Sequence, residues 1–263
     1  MGEAIRYMLH VGLVTYNLAR DWDLATILER CAAAGFESVE LRTTHGHGVE
    51  PTLSPEARRD VRARFASSPV RLCGIGTVCE YHSPDREVVE QNIAATAAAV
   101  DLAADLGCPG VKVRPNGDNV RSGIPKAETL RQIGRALARC GEYAARREVE
   151  LRLEMHGSVA AAVDIAAILE ACGHPSVRVC WNCNLIDVKN GSVAGDFALM
   201  RGRIGLVHIQ ELWNTNYPWR ELFRLLNASG FEGDCLAEIP ASPDPVRLMR
   251  YYRALFQELA GQA

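Results

Sequence analysis

The sequence predicts an α/β fold, a single-domain (β/α)8 barrel over residues 1–263, on three observations. Eight short apolar runs alternate with eight helical patterns, with no linker or low-complexity segment between them. Strict alternation of this kind argues a parallel sheet with helices outside it. The length of 263 residues is close to the roughly 250 typical of one such barrel. No Gly-rich dinucleotide or phosphate fingerprint follows the first strand, which turns the reading away from an open, doubly wound sheet.

Taken in order, the first strand is Leu9–Val14. Asp23 is placed to cap a helix that runs to about Ala34 and stops at Gly35. Strand two, Ser38–Arg42, leads into the loop from Thr43 to Gly48, and Ser54-Pro55 opens a helix to about Ser67. Val70–Ile75 is strand three, and Arg86–Leu106 is an alanine-rich helix stopped by Gly107. Strand four, Gly110–Arg114, is followed by a Gly- and Asn-rich loop from Pro115 to Pro125, a candidate mobile lid, and then a helix from about Lys126 to Arg147. The second half keeps the rhythm. Its strands end at Glu154, Asn182, His208 and Glu238, and its helices are expected over Val159–Ala171, Val193–Arg201, Trp219–Ser229 and Asp244–Leu259.

Composition narrows the function classes. Apolar residues make up 48% of the chain, its formal charge is −3, and it has no basic run, so a nucleic-acid partner is not expected. No apolar run approaches a membrane span. The nine cysteines are odd in number, lie mostly in apolar runs and follow no signal peptide. They read as buried thiols of a cytoplasmic protein.

The chemistry is expected where four successive strands stop. Glu154, Asn182, His208 and Glu238 follow one another at 28, 26 and 30 residues, about the length of one strand–helix unit. If the sheet closes, their side chains converge at the C-terminal mouth, where barrels of this kind carry their sites. Two carboxylates, one imidazole and an amide suit Mn²⁺, Mg²⁺, Fe²⁺, Co²⁺ or Zn²⁺. An ion with an open position polarises a carbonyl and acidifies the neighbouring C–H, and a carboxylate on either side moves the proton. Glu154 and His156 share a strand face. Lys112 and Arg114 share another, and with Arg42 they offer cations to a phosphate, carboxylate or enolate. Cys180-Trp181-Asn182-Cys183 matches C-x-x-C, but at a strand end rather than a helix start, and His45-Gly46-His47 offers either two imidazoles or a polar loop. Trp181, Trp213 and Trp219 are expected either to line the mouth or to pack the core.

The runs Leu153-Glu154-Met155-His156, Val207-His208-Ile209-Gln210-Glu211 and Trp219-Arg220-Glu221-Leu222 through Gly230-Phe231-Glu232-Gly233 to Ala237-Glu238 resemble the xylose-isomerase-like TIM barrel superfamily, in its sugar phosphate isomerase/epimerase branch. The Glu40 strand fits as well, and the likeness covers nearly the whole chain. The resemblance implies a divalent cation held by Glu154, Asn182, His208 and Glu238, with Glu154 and Glu238 as the proton-transfer pair. It implies an isomerase or epimerase of a small sugar, keto-sugar or polyol derivative, acting through an enediolate, with Arg42, Lys112, Arg114, His156 and Glu211 toward the substrate. A homodimer or homotetramer is also implied. The sequence departs from the family at Asn182, where Asp is usual, so the cage carries two negative charges instead of three and metal affinity is expected to fall. The alternatives are a keto-sugar lyase or dehydratase on the same site and a non-catalytic barrel subunit that binds a sugar. A DNA-repair endonuclease would need more histidines and a basic face, and neither is evident.

Overall fold

In the computed structural model, which describes residues 9–262, eight parallel strands close into one barrel in chain order. The strands are β1 (Leu9–Val14), β2 (Ser38–Arg42), β3 (Arg71–Gly76), β4 (Gly110–Val113), β5 (Glu150–Glu154), β6 (Val177–Asn182), β7 (Ile204–Ile209) and β8 (Gly233–Ala237). The helices between and after them are α1 (Leu24–Ala34), α2 (Pro55–Ala66), α3 (Arg86–Leu106), α4 (Lys126–Arg146), α5 (Ala162–Cys172), α6 (Ala194–Met200), α7 (Trp219–Ala228) and α8 (Pro245–Ala260). The predicted fold class is the observed one. α5 starts at Ala162, later than the expected Val159, because residues 157–159 form a separate 3-10 turn. The caps behave as read: the Asp23 carboxylate accepts from Thr26 N, the Ser54 hydroxyl accepts from Ala57 N, and Gly35 and Gly107 end α1 and α3 in the left-handed conformation.

Alternation along the strands divides the interior from the shell. Leu9, Val11 and Leu13 of β1, Val39 and Leu41 of β2, Leu151 and Leu153 of β5, and Val179 and Trp181 of β6 belong to one large core with the helices. The alternate residues point into the barrel, and many are polar. Among the described residues the apolar side chains there form a small separate cluster: Val14, Cys73, Cys180, Leu206 and Leu236. It lies between two polar layers. On β8, for example, Asp234, Leu236 and Glu238 alternate down one face, and on β6 Arg178, Cys180 and Asn182 do the same. Trp181 and Trp219 are buried in the core and only Trp213 is exposed, so packing, not the mouth, accounts for the first two. The nine cysteines are free and buried. Burial pushes the Cys180 and Cys183 thiols up, away from the thiolate a redox pair needs. Among the described residues no helix is long and apolar enough to cross a membrane.

Candidate active site

The upper polar layer holds the expected residues. Glu154, His208 and Glu238 each bring a ligand atom within 4.8 Å of the others. Each sits where its strand gives out: Glu154 ends β5, His208 is the penultimate residue of β7, and Glu238 is one residue past β8. Asn182 ends β6 beside them, its Nδ2 3.5 Å from Glu154 Oε1. The Asn182 Oδ1 is buried and accepts no hydrogen bond among the described residues. A buried acceptor left without a donor costs free energy in a folded protein unless a ligand fills the gap.

Two neighbours organise this cluster. Lys112, in β4, donates from Nζ to Glu154 Oε2 at 2.8 Å, and both side chains are almost wholly buried. Burial alone would raise the Glu154 pKa, but the Lys112 ammonium, with His208 beside it, holds the carboxyl below the usual range. The Lys112 pKa is raised in turn, because Glu154 and Glu40 outweigh its desolvation. Glu154 Oε1 stays clear of the ammonium and faces His208 Nδ1 at 3.4 Å.

Glu40 is the second neighbour. It is fully buried in β2, and its Oε2 lies 3.4 Å from His208 Nε2. An ionised carboxylate can only accept, so this contact puts a proton on Nε2 and turns Nδ1, which has no hydrogen-bond partner, toward Glu154. Space for Glu40 comes from β3: a Cβ on Gly76 would lie 2.6 Å from Glu40 Oε1, and one on Gly74 3.1 Å from Oε2. Sequence reading gave Glu40 no role in the site. The available signal was a lone carboxylate inside Ser38–Arg42 opposite two small residues of the next strand. Burial opposes an imidazolium at His208, yet Cys180, Glu40 and Glu154 push its pKa well up. A proton and a cation therefore compete for the same ring.

These side chains fit a divalent ion. The three clustered donors and the unpartnered Asn182 oxygen form an oxygen-rich set with one imidazole, the chemistry of Mn²⁺, Mg²⁺, Fe²⁺, Co²⁺ and Zn²⁺ sites. Glu238 differs from Glu154. It is half-buried and no hydrogen bond or ion pair from the described residues ties it, and burial raises its pKa despite the pull of His208.

Above the cluster is a cavity of about 50 Å³, walled by Glu154, His208 and Glu238 below and by Tyr16, Arg42, Arg114 and His156 at its sides. Four of the five residues expected toward the substrate, Arg42, Lys112, Arg114 and His156, thus line it. Glu211 does not. It lies in the loop after β7, its carboxylate accepting from the indole of exposed Trp213. His156 is fixed by Asn116, whose Oδ1 is 2.9 Å from His156 Nδ1. Gly157 makes that contact possible: its φ is +77°, and a Cβ there would sit 1.7 Å from Asn116 O. The expected lid is consequently laced down, since Ser158 binds Asp118, Ser158 N binds Asn116 O, and Asn119 binds the His82 carbonyl. The His45–His47 pair holds the loop instead of gathering as ligands. The His47 ring bonds to Arg42 O and Val49 N, and His45 bonds to Tyr16 O.

Comparison with known proteins finds solved structures of the same fold. An L-ribulose 3-epimerase structure superposes with a TM-score of 0.79 at 20% identity, covering 97% of this chain and 95% of that one. The D-psicose 3-epimerase of Clostridium cellulolyticum H10, solved with D-tagatose, gives 0.80 at 14%, covering 95% and 99%. The IOLI protein, solved with a bound zinc atom, gives 0.76 at 13%, covering 96% and 98%. At these identities the likeness is one of fold. Among curated proteins, no sequence matches. The family model described as "Xylose isomerase-like TIM barrel" matches residues 28–258, nearly the whole chain. The chain belongs to the xylose isomerase-like TIM barrel family.

Proposed function

We propose that this protein is a divalent-metal-dependent isomerase or epimerase of a small sugar or sugar derivative, moving a proton at a carbon next to a carbonyl. The observation that carries this reading is the convergence of Glu154, His208 and Glu238 at the mouth, with the unpartnered oxygen of Asn182 beside them. The bound ion would polarise the substrate carbonyl. Glu154, Asn182, His208 and Glu238 would hold it. Sugar epimerases among the structural neighbours, and a neighbour with zinc, support the same reaction class.

The two carboxylates divide the proton transfer. Glu154 is anchored through Oε2 by Lys112, which keeps the carboxylate ionised and oriented. Glu238 is untethered among the described residues, so its carboxyl is free to turn between ion and substrate. A carboxylate on each side of the reacting carbon lets one take the proton and the other return it. His208, braced by Glu40, supplies the neutral donor of the set.

The test is solvent deuterium incorporation into a panel of ketoses, read by mass spectrometry, with metal content measured before and after chelation. The expected result is one bound divalent ion per chain and metal-dependent exchange at a carbon beside the carbonyl. Metal-free purified protein that binds no added Mn²⁺, Co²⁺ or Zn²⁺ and exchanges no proton in any ketose would overturn the proposal.

A further inference from the structure

Three cations face the cavity above the cluster, and the protein neutralises only two. Lys112 is held by Glu154 and Arg114 by Glu80. Arg42 has no carboxylate of the described residues within ion-pair distance. Its Nη1 donates to the Thr43 carbonyl at 3.0 Å and its guanidinium lies 5.9 Å from the Tyr16 ring centre. Its Nε and Nη2 hydrogens meet no acceptor among the described residues. Arg114 also keeps a spare donor, since its Nε is buried without a partner.

Arg42 is not a solvated rim residue. It is half-buried, and its stem passes over Gly76, where an added Cβ would lie 3.4 Å from Arg42 Cδ. Desolvation and the Arg114 guanidinium both disfavour its charge. Two guanidinium groups, one from the end of β2 and one from just past β4 with β3 between them, thus wall one small cavity with unspent N–H donors. Sugar hydroxyls would satisfy hydrogen bonds there but would put no anion in contact with the Arg42 guanidinium, which Glu40 and Glu154 reach only through space. A carboxylate or phosphate does both, because a guanidinium fork matches its paired oxygens.

Resting on the isomerase reading above, we infer that the substrate is anionic, a sugar derivative bearing a carboxylate or phosphate that binds Arg42 with Arg114 while its carbonyl end meets Glu154 and Glu238. Lys112 takes no part in binding that anion, since Glu154 already occupies it. Arg42 is the specificity-determining residue.

The experiment measures binding by calorimetry to the metal-loaded protein, using ketoses of three, four and six carbons. Each is offered as the neutral sugar, as its terminal phosphate ester and as its terminal carboxylate. For at least one chain length an anionic form is expected to bind about tenfold or more tightly than its neutral counterpart. In Arg42→Gln that ratio should fall toward one, and Arg42→Lys should keep part of it. Circular dichroism and melting of both variants confirm the fold. Which anion wins distinguishes an ester from an acid. Equal binding of neutral and anionic forms, no binding of any form, or a preference that survives Arg42→Gln in folded protein overturns the inference. Deuterium exchange run on the same panel separates it from the isomerase reading. Exchange in a neutral ketose with no anion preference leaves the reaction and removes the anion, and Arg42-dependent anion binding without exchange does the reverse.

Discussion

The two ends of the barrel interior are both charged, and they treat their charges differently. At the N-terminal end no buried side-chain N or O atom of the described residues lacks a hydrogen-bond partner. Arg152 donates to Glu150 at 2.8 Å and to the Cys73 carbonyl at 2.7 Å, Arg178 reaches Glu150 and the Ile204 carbonyl, and Asp234 accepts from both Ser38 and Arg71. At the C-terminal end lie Glu40, His45, His82, Arg114, Asn182, Asp187 and His208. These carry all seven of the buried side-chain atoms without a hydrogen-bond partner among the described residues. The five apolar residues of the inner cluster lie between the two layers. A paired layer stabilises the fold, whereas an unpaired one is tolerated when a ligand completes it. The contrast is that of a closed floor and an open mouth.

The sharpest way to break the comparison is to remove one carboxylate from each end. Glu238→Gln should lower proton exchange by about 10²- to 10⁴-fold while leaving the unfolding midpoint unchanged or raised, because its burial already disfavours the charged form. Glu150→Ala should do the opposite. It strands the buried Arg152 and should cost about 3–5 kcal/mol in denaturant unfolding. A Glu150→Ala protein that loses less than about 1 kcal/mol would show that the floor is not a structural layer.

A smaller effect sharpens the charge argument at the mouth. Asn182→Asp adds a carboxylate beside Glu154, and two like charges at this distance repel unless a cation intervenes. Divalent metal should bind on the order of tenfold more tightly, measured by competition with a chelator, while the metal-free protein melts lower. Unchanged affinity would remove Asn182 from the ligand set.

The mildest effect concerns Asp187, whose Oδ2 accepts from Asn184 N and whose Oδ1 is unpartnered. Burial raises its pKa from the ordinary 3.8 to about 7. Between those values the folded state holds a proton that the unfolded state has lost, so this residue makes stability fall as pH rises from about 4 to about 7. Asp187→Asn should flatten that slope in melts taken across the range. A slope that persists in the variant would place the titration elsewhere.

Much of the mouth was legible because its signals are local. Glu154, Asn182, His208 and Glu238 were placed by strand endings, and period-two alternation put Glu154 with His156 and Lys112 with Arg114 without any tertiary information. Glu40 was less legible. It sits in mid-strand, and its role depends on His208, 168 residues away, and on glycines of β3 that leave it room. Glu211 is the converse case. It is adjacent to the β7 motif in sequence, but the loop turns its carboxylate to Trp213. For Trp181 and Trp219 the sequence left mouth and core equally open, and the structure buries both in the core.

The sequence by itself determined the eightfold alternation, the helix stops and the set of polar residues that reach the mouth, since each rests on patterns within a few residues. Only the tertiary structure decided how the charges were shared out. Closing the barrel staggers its strands, and that stagger set Lys112 against Glu154, Arg114 against Glu80 and Glu40 beneath His208, leaving Arg42 without an anion. Ion pairing falls off within a few ångströms, so partners drawn from strands far apart in the chain are chosen by the geometry of closure and by nothing local.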